Sequence, residues 1–341
     1  MANADAIATS WNTPQYHGML LTQGLTDKHC RFLSMIGGLA NLGATGGLKR
    51  AKAFKYPLNS KNELDAAAQQ DITENETAAV PTPRNYDRSQ DEYGYIQIFH
   101  KGVGSTWASE SELTKLSGLA LTGEVEALND PFLSNFNMTM RQLAVDIEYH
   151  MLQGKVNESA SADEASRMAG LFATQNKDGG AAHTIDTNKV DCGGDALTVA
   201  DIDAMLLLLK ETSYAPMQNP VFIGKYSSIK NLADLYGVTI MAGPQNTIGT
   251  AYGRIETIVT QAGTFPLVEI PQCPVAVIGL IDLAYISPVW LPVPERNGRP
   301  GGLLFYTPVA LAGAADKGQI YTQVGLTYTA EKYHGKLYNF T

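Results

Sequence analysis

The 341-residue sequence has only three cysteines, Cys30, Cys192 and Cys273, an odd number with none close to another. That excludes a disulfide framework and suits a reducing compartment. Basic charge is scarce as well: 25 Lys and Arg stand against 34 Asp and Glu, a formal charge of -9. Sequence-specific nucleic-acid binding is disfavoured, because phosphate affinity comes from clustered cations that release counterions. A wall that encloses nucleic acid stays compatible with this balance. The N-terminal MANADAIATSW lacks the basic and apolar regions of a secretory signal, so synthesis in a cytosol is expected. Between Cys273 and Pro294 the one charge is Asp282, but Pro274, Pro288, Pro292 and Pro294 would break a membrane helix there. The valines and isoleucines of that stretch suit buried strands, and no membrane association is expected.

Motifs that carry chemistry are also missing. The histidines His17, His29, His100, His150, His183 and His334 are scattered, and His29 beside Cys30 and His183 before Cys192 are the nearest approaches to ligand pairs. Asp186, Asn188 and Asp191 superficially match a calcium loop but lack its sixth-position glycine and twelfth-position glutamate, so a surface turn fits better. Gly37, Gly38, Gly43, Gly46 and Gly47 form no phosphate-binding loop, and hinging of an arm explains them. Ser105 in GVGSTW lacks the flanking glycines of a nucleophile elbow. Asp146 and Glu148 lie two apart on an expected helix, point in different directions, and suit surface or inter-subunit salt links. No catalytic, cofactor-binding or metal-binding residue is nominated.

What is present describes a folded protein: 44% hydrophobic and 17% charged residues provide enough apolar area to offset ordering entropy. The length suggests roughly two to three structural units. Residues 1–47 read as an arm that cannot form a core alone. Two extended segments follow, AKAFKYPLN and YGYIQIFHKGV, around a long polar loop. Strands of about ten residues would project roughly 30 Å, far enough to lie across a neighbouring molecule. Charge agrees: residues 1–58 carry Lys28, Arg31, Lys49, Arg50, Lys52 and Lys55 against Asp5 and Asp27, a balance of +4. Residues 61–92 carry Lys61, Arg84 and Arg88 against Glu63, Asp65, Asp71, Glu74, Glu76, Asp87, Asp91 and Glu92, a balance of -5. Complementary fields of this kind fix register between subunits, although a solvated polar loop accounts for the same charges.

The clearest helix signal runs over 131–153, with Asp130 as N-cap, Pro131 first and Gly154 as the stop. Phe132, Phe136, Met140, Leu143, Ile147 and Met151 give one apolar stripe on a rod of about 35 Å, equally compatible with a spine and with an ordinary amphipathic helix. After the Gly- and Asx-rich 176–195, Thr198 and Asp201 suggest a capped helix, PVFIG a strand and SSIKNLADLYG a helix ending at Gly237. RIETIVT, TFPLVEI, VAVIGLI, AYISPVWLPV, GGLLFY and QIYTQVGLTYTA then read as strands.

This order of features resembles the tailed-phage major capsid proteins with the Hong Kong 97-type fold. PQYHGMLLTQGLT and FLSMIGGL look like an opening of that family, YGYIQIFHKGVGSTWAS like the strand leaving its extended loop, and RQLAVDIEYHMLQGK with SRMAGLFA like its spine helix and turn. NPVFIGKYSSIKNLADLYG is similar to its axial-domain strand and helix, and TYTAEKYHGKLYNF fits its C-terminus. The resemblance implies an α+β chain divided into an N-terminal arm (1–47), an extended E-loop (48–110), a peripheral P-domain (111–194 with 319–341, spine helix 131–153) and an axial A-domain (195–318). It further implies self-assembly into pentamers and hexamers of an icosahedral or prolate head that encloses double-stranded DNA without sequence-specific binding. The implied location is the virion, after assembly in the host bacterial cytoplasm. A separate scaffolding protein, a portal and a decoration protein are the candidate partners, because the arm begins almost at once, with no scaffolding region ahead of it. No cofactor is implied. Lys49, Arg50, Lys52, Lys55, Glu63, Asp65, Asp71, Glu74 and Glu76 are the candidate inter-subunit contacts. Some relatives crosslink Lys to Asn, but neither Lys52 nor Lys55 aligns with that lysine, so no catalysis is expected. Alternatives are an encapsulin-like compartment shell, and a soluble α/β enzyme built on 195–318 that would need a pocket of convergent titratable groups.

Overall fold

The computed structural model describes residues 30–37, 49–58, 73–74, 93–109, 131–235, 256–296, 301–309, 313–329 and 331–341. Two helices belong to its first core, the short α1 (Arg31–Gly37) and the 23-residue α2 (Pro131–Gln153). α2 has the bounds read from Pro131 and Gly154, while Asp130 lies outside the described residues. Phe136, Met140, Leu143, Ile147 and Met151 are buried as the stripe requires, and Phe132 packs half-buried at its start.

Strands are numbered in chain order. AKAFKYPLN is not extended throughout: only β2 (Lys55–Pro57) is strand, residues 52–54 form a bend, and β1 (Lys49–Arg50) lies just before the segment. The bend lies between two strands that pair with different partners. β1 runs parallel to β10 (Ser287–Trp290), whereas β2 pairs with β3 (Tyr93–Tyr95) in a separate two-stranded sheet. Only the returning segment supplies a long strand, β4 (Gln97–Thr106).

β4 lies antiparallel along one edge of the 13-residue β12 (Ala315–Thr327), whose other edge pairs with β11 (Leu304–Pro308) and β10. One face of this sheet packs on α2: Phe99 meets His150 edge-on at 5.4 Å, and Tyr306 meets Phe136 at 5.7 Å. Along β4, Ile98, His100, Gly102 and Gly104 alternate to the exposed side, as in an antiparallel sheet with one solvated face.

The second sheet has the order β5 (Lys189–Asp191), β13 (Gly335–Tyr338), β9 (Val277–Asp282), β6 (Pro220–Gly224), β8 (Gly263–Glu269) and β7 (Glu256–Thr260). Its central strands β6 and β9 are buried on both faces, which is why PVFIG and VAVIGLI read as continuous apolar runs. Val221, Ile223, Val277 and Ile281 face the first core. Phe222, Ile278, Leu280 and Leu337 face a second core under α3 (Val199–Leu207) and α4 (Tyr226–Leu235). The Thr198–Asp201 capping box starts α3, closing two backbone N–H groups that would lack partners.

Pairing crosses the divisions drawn from sequence. β5 and β13, from 111–194 and 319–341, join strands of 195–318, while β10 and β11 join β4 and β12. Cys273–Pro294 holds β9, a 3-10 turn at Leu283–Tyr285 and β10, and among the described residues no helix is long and apolar enough to cross a membrane.

The two cores meet closely at Gly279, where an added Cβ would lie 2.2 Å from the Phe172 ring. Gly279→Ala is therefore expected to destabilise the fold by about 1–3 kcal/mol through overpacking, read as a lower urea midpoint with an unchanged slope.

Candidate assembly surface

Among the described residues no group of three or more His, Cys, Asp or Glu is placed to hold a metal ion. Of the candidate inter-subunit contacts, Lys49, Arg50, Lys52 and Lys55 lie in the described segment 49–58 and Glu74 in the described pair 73–74. Lys55 on β2 and Tyr95 on β3 are direct cross-strand partners. Both donate to one carboxylate, Glu158: Lys55 Nζ to Oε1 at 2.8 Å and Tyr95 OH to Oε2 at 2.9 Å. The ammonium also sits 4.5 Å from the centroid of the Tyr93 ring, a cation–π contact. The hydrogen bond from Lys55 holds the Glu158 carboxyl below the usual carboxylate range, and the same bond raises the Lys55 ammonium.

The other candidates are placed differently. Lys49 lies in β1 beside β10, where burial lowers its pKa. Arg50 and Lys52 are exposed and have no ion-pair partner among the described residues, and Glu74 is exposed. Glu63, Asp65, Asp71 and Glu76 lie outside the described residues.

Glu158 was not nominated from sequence, and no local signal marks it. The reading of Asp146 and Glu148 as surface or inter-subunit salt links holds for Asp146, which makes a surface link, and needs correction for Glu148. Asp146 is 2.5 Å from Lys101 of the same chain, and Glu148 is fully buried, its Oε2 accepting the Leu33 N–H of α1 at 3.0 Å. Residues 30–37 thus pack Phe32, Leu33 and Ile36 into the chain's own core.

A family model described as SU10 major capsid protein matches residues 3–341, nearly the whole chain. The chain belongs to that major capsid protein family. No curated protein matches the sequence at a significant level. The fold is similar to a capsid chain in the procapsid of satellite phage P4 that includes its size determination (Sid) protein, with TM-score 0.51, 11% identity, and 99% of this chain and 94% of that chain covered. It is also similar to the capsid of cyanophage A-1(L), with TM-score 0.51, 14% identity, and 86% and 90% covered. The SrpI encapsulin of Synechococcus elongatus PCC 7942 overlaps at TM-score 0.46 and 13% identity, covering 87% and 85%, a level that carries no argument. The fold is thus the Hong Kong 97-type capsid fold, and the chain is a structural subunit that assembles into a shell and resides in the virion.

In this capsid subunit the turn region 183–191 also departs from expectation. Asn188 is buried, not a surface residue, and its amide donates to the carbonyls of Lys332 at 2.7 Å and His334 at 3.2 Å. His183 does not pair with Cys192. Its Nδ1 accepts from the buried Lys336 Nζ at 3.0 Å, and Lys336 also donates to the Ala173 carbonyl at 3.3 Å. Burial pushes Lys336 down to about 8. The fully buried His334 accepts from the Asp282 N–H at Nδ1 and donates to the Tyr328 carbonyl from Nε2, so it is held neutral.

Burial depresses His334 from 6.5 to about 4. A histidine depressed in the folded state contributes stability that is full above 6.5 and is lost as pH falls towards 4. Roughly 3 kcal/mol should disappear across that window. Urea unfolding from pH 7 to pH 4 is expected to show a steeper loss for wild type than for His334→Gln, whose amide cannot take up the proton; parallel curves would contradict this.

Proposed function

We propose that this capsid subunit forms pentamers and hexamers of a phage head enclosing double-stranded DNA, without catalytic activity of its own. Residues 1–47 serve as an N-terminal arm docked through 30–37 on its own subunit, and within 48–110, whose β1 and β4 belong to the sheet on α2, the intervening loop reaches neighbouring subunits. The sheet on α2 forms the body of the P-domain and the six-stranded sheet that of the A-domain. Assembly takes place in the bacterial cytoplasm with a separate scaffolding protein and a portal. The observation that carries this reading is the family match over residues 3–341. Charge adds to it: Arg50 and Lys52 are exposed beside the loop root, and residues 61–92 carry a balance of -5 from eight acidic and three basic side chains. Opposite fields on loop and root suit pairing between copies, which adds through repetition around a closed shell.

Expression with the accessory head proteins is expected to give hollow particles by negative-stain electron microscopy; persistent monomers would overturn the reading. Deleting residues 61–92 should leave a cooperatively melting subunit and reduce closed particles by at least about tenfold, since the deletion weakens every subunit interface of the shell at once. Denaturing electrophoresis of assembled shells should give the monomer band, whereas a ladder of covalent multimers would show autocatalytic crosslinking.

A further inference from the structure

The two-stranded β2–β3 sheet is too small to hold its own direction in water, so its attitude depends on what it touches. On one side it is anchored deeply: Tyr56 is buried and its hydroxyl donates to the Leu326 carbonyl of β12 at 2.7 Å. On the other side the sheet does not close-pack. A cleft of about 840 Å³ separates Phe54, Tyr95 and Ile98 from the loop 158–167. Glu158 bridges that cleft, and it reaches both strands at once through Lys55 and Tyr95.

The loop that presents Glu158 is itself braced. Asn157 and Arg167 exchange backbone hydrogen bonds at 3.2 and 3.0 Å, which closes the loop at its base. Within it, Glu164 accepts from Asn157 Nδ2 at 3.2 Å and from the Ala160 N–H at 3.1 Å, and pairs with Lys177. Those bonds, led by the one from Lys177, hold the Glu164 carboxyl down at about 2, so the brace persists over the ordinary pH range. Glu158 is thereby offered from a fixed platform to a sheet held on its other side by the buried Tyr56, Leu58 and Ile96.

Resting on the capsid reading above, we propose that Glu158 is a positioning residue: it ties the root of the extended loop to loop 158–167 and so sets the direction in which the chain leaves at Leu58 and re-enters at Tyr93. The tie is exposed and ionic, in contrast to the buried Tyr56 anchor, so salt loosens it while the anchor holds. Lys55, a candidate contact for a neighbouring copy, thus acts first within its own subunit.

The test is hydrogen exchange on the full-length chain as wild type, Glu158→Gln and Glu158→Ala, at low salt and at about 1 M salt, where the screening length is about 3 Å. Particle formation is scored in parallel. At low salt, Glu158→Ala should exchange at least about threefold faster at residues 54–57 and 93–97, with β9 and β13 unchanged. Wild type at high salt should approach the Ala variant, and Glu158→Gln, which keeps an acceptor without charge, should fall between them and respond little to salt. Equal exchange in wild type and Glu158→Ala would overturn the proposal. So would salt-independent exchange in wild type, or acceleration spread equally into β9 and β13. Failure of wild type to form particles would instead overturn the shell reading, because the exchange comparison is made on subunits.

Discussion

The double-edged pairing of β12 is the constraint on which the rest of the subunit depends. Ala315–Val324 pair with β4 on one edge, while Gly318–Thr327 pair with β11 and β10 on the other. A 13-residue strand spans about 43 Å, longer than the roughly 35 Å of α2 that lies on its face. A slip of one residue would turn Ile320 and Val324 out of the core, so the register is fixed by burial as well as by hydrogen bonds. The extended loop returns directly into β4, and the Tyr56 anchor binds the Leu326 carbonyl of β12. The loop root is therefore referred to a strand held on both edges. After β12 the chain passes through Tyr328 and His334 into β13, which carries the same reference into the second sheet.

Polar groups sealed between the sheets strengthen that connection. Asp282, at the end of β9, accepts the N–H groups of Gln218 at 2.7 Å, Asn219 at 2.9 Å and Ala284 at 3.1 Å. His334 lies against the Asp282 backbone, and Lys336 reaches the Ala173 carbonyl and His183. Each is costly to bury without a partner, so each favours a single arrangement of the strands around it. A shell subunit repeated many times needs one body geometry, and this interior suits that requirement. The ties of Glu158 to Lys55 and Tyr95 are of another kind, polar and accessible to solvent.

Local signals were legible in the sequence. Pro131 and Gly154 bound α2, its apolar residues at three- and four-residue steps were buried, and Thr198 with Asp201 formed the expected capping box. Each depends on neighbours within a turn or two of helix. Pairings between distant residues were not legible. Lys55 and Glu158 are 103 positions apart, and Glu148 meets Leu33 across 115, with nothing in the intervening composition to pair them. Glu148 looked like a solvent-facing acid because charge alone suggests exposure; only the arrival of α1 makes it an internal acceptor. AKAFKYPLN looked like one strand because its residues favour extended backbone, but only Lys55–Pro57 is strand, set off by a bend from β1, which pairs in another sheet.

The sequence by itself determined α2, α3 and α4, the central apolar strands, the charge contrast between 1–58 and 61–92, and a family resemblance spread across nearly the whole chain. Helix caps and apolar periodicity act over a few residues, so they are written where they operate. Tertiary structure alone decided which strands share a sheet, that β5 and β13 join the strands of 195–318, that α1 packs into the first core, and that Glu158 meets Lys55 and Tyr95. Those outcomes follow from register and burial, which depend on what arrives on the other side of each element.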